Sequence, residues 1–214
     1  MDRTEEQNRK EMADHRSSIY GLLALIYRQE VTFELLHQVK DPLFLGVFTD
    51  LGVEGIETLL QSSEEKLIED LAVEYARLFI GPGKHISPHE SIHHQREDGD
   101  WGTLWGAGTV DVKKFIEATG LNYEADYKGL PDHISVEFEF MAALIRREKQ
   151  AWDENDEAVA KNCMNVQKKF LEEHLIRWIP DFCEKVIQQT ELPFYRAVAK
   201  LTRSFINFEN KEFS

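Results

Sequence analysis

Histidine is the residue in this 214-residue chain whose clustering first suggests chemistry: His85, His89, His93 and His94 lie close together, with His133 further on. Spaced four apart, His85, His89 and His93 would align on one helix face and could hold zinc or iron. Pro88 falls between them, just after the Gly81-Pro82-Gly83 break, so a continuous helix is not expected there. No H-E-x-x-H sequence is present. Glu90 to His93 is a single E-x-x-H pair, whereas a carboxylate-bridged di-iron bundle needs such pairs on two helices. A metal-dependent enzyme using His85, His89, His93 and His133 is the alternative reading; solvated histidines on a polar loop is the preferred one.

Asp132-His133 follows Pro131 at a helix start, where free backbone N–H groups and the helix dipole favour a carboxylate. These two residues suit either an acid–imidazole pair facing a ligand or a helix cap with a packed histidine. Other routes to catalysis are weaker. The chain has no G-x-S-x-G elbow, no G-x-x-x-x-G-K-[ST] loop and no G-x-G-x-x-G fingerprint. Cys163 and Cys183 lie on or beside apolar helical faces and read as small buried hydrophobes. Glu137 and Glu139, two apart, face different ways. The chain therefore reads as a non-enzyme with no bound metal or cofactor.

Tyr75, Phe79, Trp101 and Trp105 surround the same glycine break, and Tyr and Trp are common anchors of binding surfaces. Lys and Arg number 25 against 39 Asp and Glu, a net charge of −14. Such a charge repels nucleic acid and anionic lipid and favours a cationic peptide. An apolar groove with an acidic rim would take an amphipathic or extended peptide carrying arginines.

The elements that must hold these residues are helical. Ile19, Leu22, Leu23 and Ile26 mark a helix over Asp14–Arg28, preceded by a polar start at 1–13 that reads as disordered. Thr32 caps a short second helix that Asp41-Pro42 stops. Leu43–Leu60 reads as short helices and turns, and Ser62 with Glu65 as the capping box of the next helix. Its stripe of Leu67, Leu71, Tyr75, Leu78 and Phe79 runs to the glycine break. Residues 84–106 are an irregular loop and a candidate hinge. Val112, Phe115 and Ile116 mark a helix closed by Gly120.

Ile134, Phe138, Met141 and Ile145 form one helical stripe, and Val136, Phe140 and Leu144 a second. A helix buried on two sides is the expected central element. Asp156–Arg177 follows, then a break at Ile179-Pro180, a further helix, and a last one from Pro193. The expectation is a single all-α domain over 1–214, of about ten helices. The polar start has no apolar h-region, no run of about 18 apolar residues could span a bilayer, and two isolated cysteines fit a reducing compartment. The chain is expected to be cytoplasmic, with no stable membrane insertion.

At these positions the sequence resembles the TorD/DmsD family of chaperones for molybdenum-containing redox enzymes. Tyr75-x-x-Leu78-Phe79-x-Gly81-Pro82 is similar to the family's Y-x-x-L-F-x-G segment. Pro88-x-Glu90-Ser91 resembles its P-x-E-S loop, and Pro131-Asp132-His133-Ile134 its E-P-D-H-I motif. Phe170-Leu171-x-x-His174-Leu175-x-x-Trp178-x-Pro180 resembles its F-x-x-H-L-x-x-W-x-P block, and Phe194-Tyr195 opens a similar last helix. Leu130 stands where the family often has Glu, His89 where an aromatic is frequent, and Phe115 where Tyr is common.

The resemblance implies an all-α chaperone that binds the twin-arginine signal peptide of an apo catalytic subunit. In the family this withholds a DMSO-reductase-type enzyme from export until its molybdopterin cofactor is inserted. It also implies contact with molybdenum cofactor biosynthesis proteins, guanine nucleotide as a minor candidate ligand, and a monomer or domain-swapped dimer hinged in 84–111 or 124–131. On this reading Tyr75, Leu78 and Phe79 supply an apolar wall beside Trp101 and Trp105. Pro88, Glu90 and Ser91 form the adjoining loop, and Asp132 and His133 meet the arginines.

Overall fold

Apolar stripes of helical period can be buried only by packing helix on helix. The computed structural model describes residues 3–81, 83–95, 101–121 and 129–214, and in these the stripes form eleven α-helices. They are α1 (Arg3–Arg28), α2 (Phe33–Val39), α3 (Pro42–Asp50), α4 (Ile56–Leu60), α5 (Glu64–Tyr75), α6 (Glu90–His93), α7 (Ala107–Ala118), α8 (Ile134–Asp153), α9 (Glu157–Phe170), α10 (Ile176–Gln189) and α11 (Pro193–Phe213). A π turn, Ala76–Ile80, extends α5, and a second, Leu171–Leu175, joins α9 to α10. Among the described residues there is no strand, only two isolated β-bridges.

The expected central helix is α8. Both of its stripes are buried, from Ile134, Phe138, Met141 and Ile145 to Val136, Phe140 and Leu144. Each large side chain so buried contributes about 1.5–3 kcal/mol. α1 lies along α8, with Tyr20 and Tyr27 against Phe138 at ring-centroid separations of 5.6 and 6.3 Å. One core cluster draws on residues from Ala13 in α1 to Ile206 in α11.

Several boundaries differ from the sequence reading, each for a physical reason. The polar stretch 3–13 is helical, because the far end of α8 gives it partners. Lys10 Nζ meets Asp153 Oδ1 at 3.2 Å, and the Arg9 guanidinium lies 5.3 Å above the Trp152 ring. Ser63, not Ser62, caps α5, its hydroxyl accepting from the Lys66 N–H. Pro180 does not break the chain but sits inside α10. A proline there lacks an N–H and crowds the carbonyl four residues earlier, that of Ile176. The π turn ends at Leu175, so the helix is already widened where that crowding falls. Thr32 and Gly120 act as expected: Thr32 Oγ1 accepts from Leu35 N at 3.2 Å, and Gly120 takes φ +77° just beyond α7.

Away from the loops, a buried charge network ties the termini. Arg16 in α1 donates to both carboxylate oxygens of Glu209 in α11, at 2.8 and 2.7 Å, and to Gln167 in α9 at 2.9 Å. Glu148 in α8 lies 3.5 Å from the same guanidinium.

Candidate functional site

Two short motifs far apart in sequence cross at the N-terminal end of α8. Glu90 N donates to Asp132 O and Ile134 N to Pro88 O, both at 2.9 Å, and this pairing makes an antiparallel bridge between His89 and His133. The two imidazole rings meet edge to face, 4.9 Å between centroids.

Asp132 and His133 divide the capping between two helices. His133 is the N-cap of α8, its Nδ1 accepting from Ser135 N at 3.2 Å. Asp132 is 0% exposed, and its Oδ2 accepts the Ser91 N–H of the facing turn α6 at 3.0 Å. Burial, with His89 and Arg28 nearby, pushes the His133 pKa down to about 3, so its ring is neutral and able to accept.

Glu90 joins the loop to the helical body. Its carboxylate takes His174 Nδ1 at 2.9 Å from the second π turn and His94 Nε2 at 2.8 Å from the end of α6. Burial alone would raise the Glu90 pKa, but these two histidines outweigh it and hold the carboxyl down at about 2. Beyond it Glu137 of α8 is fully buried, with Trp178 Nε1 donating to its Oε2 at 3.1 Å. Burial and the neighbouring Glu90 and Asp132 push the Glu137 carboxyl well above the usual range.

The chain after α6 returns over this turn. Gly102 N donates to His94 O at 2.8 Å, and a Cβ on Gly102 would lie 1.6 Å from the Ser91 carbonyl oxygen, so only glycine fits. The segment then exposes its apolar side chains. Trp101 is 62% and Trp105 76% exposed, with Leu104 and Val110 also at the surface. Trp105 holds φ +65°, a left-handed conformation uncommon for a bulky residue. Lys185 of α10 reaches across, its Nζ 5.9 Å from the Trp101 ring centroid and 3.3 Å from His93 Nδ1.

The structure thus brings Pro88, Glu90, Ser91, Asp132 and His133 together and leaves Trp101 and Trp105 on the outer side of the same loop. It corrects the expected orientation of the others. Tyr75, Leu78 and Phe79 lie in the core, not on a solvent-facing wall. Tyr75 Oη donates to Tyr27 O at 3.0 Å, and the Phe79 ring packs with Tyr27, Tyr75, Phe182 and Tyr195. Their link to the site is through backbone: Ile86 N donates to Leu78 O at 2.7 Å, folding the chain back beyond the glycine break. Pro82 itself lies outside the described residues, as do 124–128 of the second suggested hinge. Asp132, fully buried, does not present its carboxylate at the surface.

The histidines do not converge. His93 stacks on Trp178 at 5.1 Å with Nε2 2.7 Å from Ser87 O, His89 pairs with His133, His94 turns to Glu90, and His85 is exposed. Among the described residues no group of three His, Cys, Asp or Glu side chains is arranged to hold a metal ion.

Sequence reasoning missed the roles of His174, Trp178 and Glu137. Glu137 was legible in principle: it lies three residues after Ile134 and four before Met141, so its carboxyl falls on a buried stripe. Glu139, its discounted neighbour, faces outward to Arg28 at 2.7 Å.

Fold and site together define an all-helical protein in which Glu90, Asp132 and His174 fasten a loop to the helical body. The family model for the nitrate reductase delta subunit matches residues 49–184, and the chain belongs to that family. Among curated relatives, the chaperone protein TorD of Shewanella pealeana is 25% identical, covering 89% of this chain and 86% of its own. The chaperone protein TorD of Vibrio atlanticus is 27% identical, covering 94% and 96%. A solved structure from Archaeoglobus fulgidus, described as a redox enzyme maturation protein, shares the fold with a TM-score of 0.50 at 22% identity, covering 90% of this chain and 92% of that one. The resemblance to the TorD family is borne out, and the chain is a chaperone of that family and not an enzyme. No helix among the described residues is long and apolar enough to cross a membrane.

Proposed function

We propose that this chaperone serves a molybdenum-containing redox enzyme of the DMSO-reductase type in the cytoplasm. It binds the twin-arginine signal peptide of the apo catalytic subunit and withholds that subunit from export until its cofactor is in place. The observation that carries the peptide-binding part is the Trp101–Trp105 ridge. Two large indoles stand mostly in solvent on a segment fixed to the helical body, one of them in a strained backbone conformation. Exposed aromatic groups on a rigid support are suited to gripping an apolar h-region. The net charge of −14 suits the arginines that precede such a region.

On this reading Trp101 and Trp105 touch the peptide. Pro88, Glu90, Ser91, Asp132 and His133 build the seat of the ridge, and Tyr75, Leu78 and Phe79 back it from the core. Calorimetric titration with a twin-arginine signal peptide tests the proposal. Binding that weakens as salt is raised supports it; heat of mixing alone at low salt and tens of micromolar peptide rules it out.

A further inference from the structure

Glu90 opens α6 and Glu137 lies in α8, and both carboxyls are buried. Glu90 is gripped on one side by His174 Nδ1 and His94 Nε2, at 2.9 and 2.8 Å. Trp178, one helical turn on from His174, holds Glu137 on the other side, and the two carboxyls act on each other. Trp178 satisfies Glu137 Oε2, but the equally buried Oε1 has no donor. Two carboxylates in contact away from water do not both ionise, so one proton is shared between them. The partners place it. Glu90 already has two imidazole donors, whereas Glu137 has an oxygen lacking one and faces Glu90 and Asp132. A proton on Glu137 Oε1 gives that oxygen a role, as donor to Glu90.

We propose that Glu137 and His174 are positioning residues that clamp Glu90, and that the clamp, closed only while Glu137 holds its proton, sets the seat of the Trp101–Trp105 ridge. Glu90 is the first residue of α6, and the chain carrying Trp101 is packed on the backbone of that turn through Gly102. Loss of the Glu137 proton sets two like charges against each other and drives α6 away from α8. The ridge follows, and peptide affinity with it; that last consequence rests on the chaperone reading above, while the clamp itself does not.

The charged and titratable groups around the clamp come from every neighbouring element. Asp132 lies beside Glu137 on the approach to α8, and His93 and His94 belong to α6 and its end. Asp181 and Lys185 of α10 act on His93, and Arg28 of α1 on His133. Burial lowers the proton affinity of His89, His93 and His133, so strong acid loosens the same loop by a separate route. Glu137→Gln keeps the shape and a donor, cannot ionise, and so removes the alkaline limb alone.

Amide hydrogen exchange at Glu90 and Ser91, followed from pH 5 to 10 in the free protein, tests the clamp without any peptide. Protection of these amides should fall by about tenfold or more as pH rises in the wild type and stay level in Glu137→Gln. His174→Gln should lower it at every pH. Equal profiles for wild type and Glu137→Gln, or no effect of His174→Gln, overturn the proposal. Should Glu137→Gln fail to fold, the carboxyl carbon shift of Glu137 in the wild type decides: protonated at neutral pH supports the clamp, ionised contradicts it. Peptide titration of the same proteins reports separately, since the exchange result stands whether or not peptide binds.

Discussion

Asp132 Oδ2 accepts the backbone N–H of Ser91 at 3.0 Å, joining residues 41 apart in the chain. A carboxylate just ahead of α8 could have capped α8, but His133 fills that position, and Asp132 is turned to the facing turn α6. Each motif thereby supplies hydrogen bonds to the other. This arrangement makes Asp132 a fastening of the loop and not a surface contact. Asp132→Ala leaves the Ser91 N–H buried without an acceptor, and should lower unfolding free energy in urea by about 1–3 kcal/mol. Asp132→Asn retains an acceptor and should lose less.

Gly102 and Gly108 both approach Ser91, at different tightness. An added Cβ on Gly102 meets the Ser91 carbonyl oxygen at 1.6 Å, one on Gly108 meets Ser91 Cα at 3.3 Å. Gly102→Ala must therefore move backbone and should cost about 2–3 kcal/mol or detach the segment. Gly108→Ala should cost under about 1 kcal/mol. Thermal melts read the first difference, and a change in Trp101 fluorescence confined to Gly102→Ala reads detachment.

Arg16 pairs with the buried Glu209 carboxylate at 2.7 Å and lies 3.5 Å from Glu148 as well. Arg16→Met removes this partner and leaves those carboxylates uncompensated, so a loss of about 3–5 kcal/mol is expected. Removing Glu209 together with Arg16 should restore part of that loss, a coupling that a double-mutant cycle measures.

His133 contributes to the acid dependence beside His89 and His93. Its folded pKa of about 3 lies below the ordinary value of 6.5. Between those two values the unfolded chain binds the proton and the folded one does not, so stability is complete above pH 6.5 and is lost as pH falls towards 3. Asparagine is a good N-cap and cannot titrate. His133→Asn should keep the neutral-pH stability and make the acid limb shallower in urea titrations between pH 6.5 and 4.

The helical class, the two-sided burial of α8 and the caps at Thr32 and Gly120 were legible because each rests on local spacing. So was the importance of Pro88–Ser91 and Pro131–Ile134. What spacing could not give was the crossing of these motifs, which depends on residues more than 40 positions apart. Nor could it say which way the carboxylate of Asp132 turns, since a cap for its own helix and a cap for another look alike in one dimension. Tyr75, Leu78 and Phe79 were legible as an apolar stripe, but a stripe does not reveal whether a groove or a core covers it. Pro180 misled because a widened helical turn, Leu171–Leu175, has no signature in residue type. The histidines suggested a metal by their spacing, but in the fold His93 turns to Ser87 and Trp178, His94 to Glu90, and His89 to His133.

The most direct test of the account is peptide binding by the ridge. Calorimetric titration of a twin-arginine signal peptide should show saturable binding to the wild type, weakened by salt. Trp101→Ala and Trp105→Ala, both at exposed positions, should each lower affinity about tenfold or more while shifting the melting temperature little. Undiminished binding by the double variant Trp101→Ala/Trp105→Ala, with its melting temperature unchanged, would contradict it.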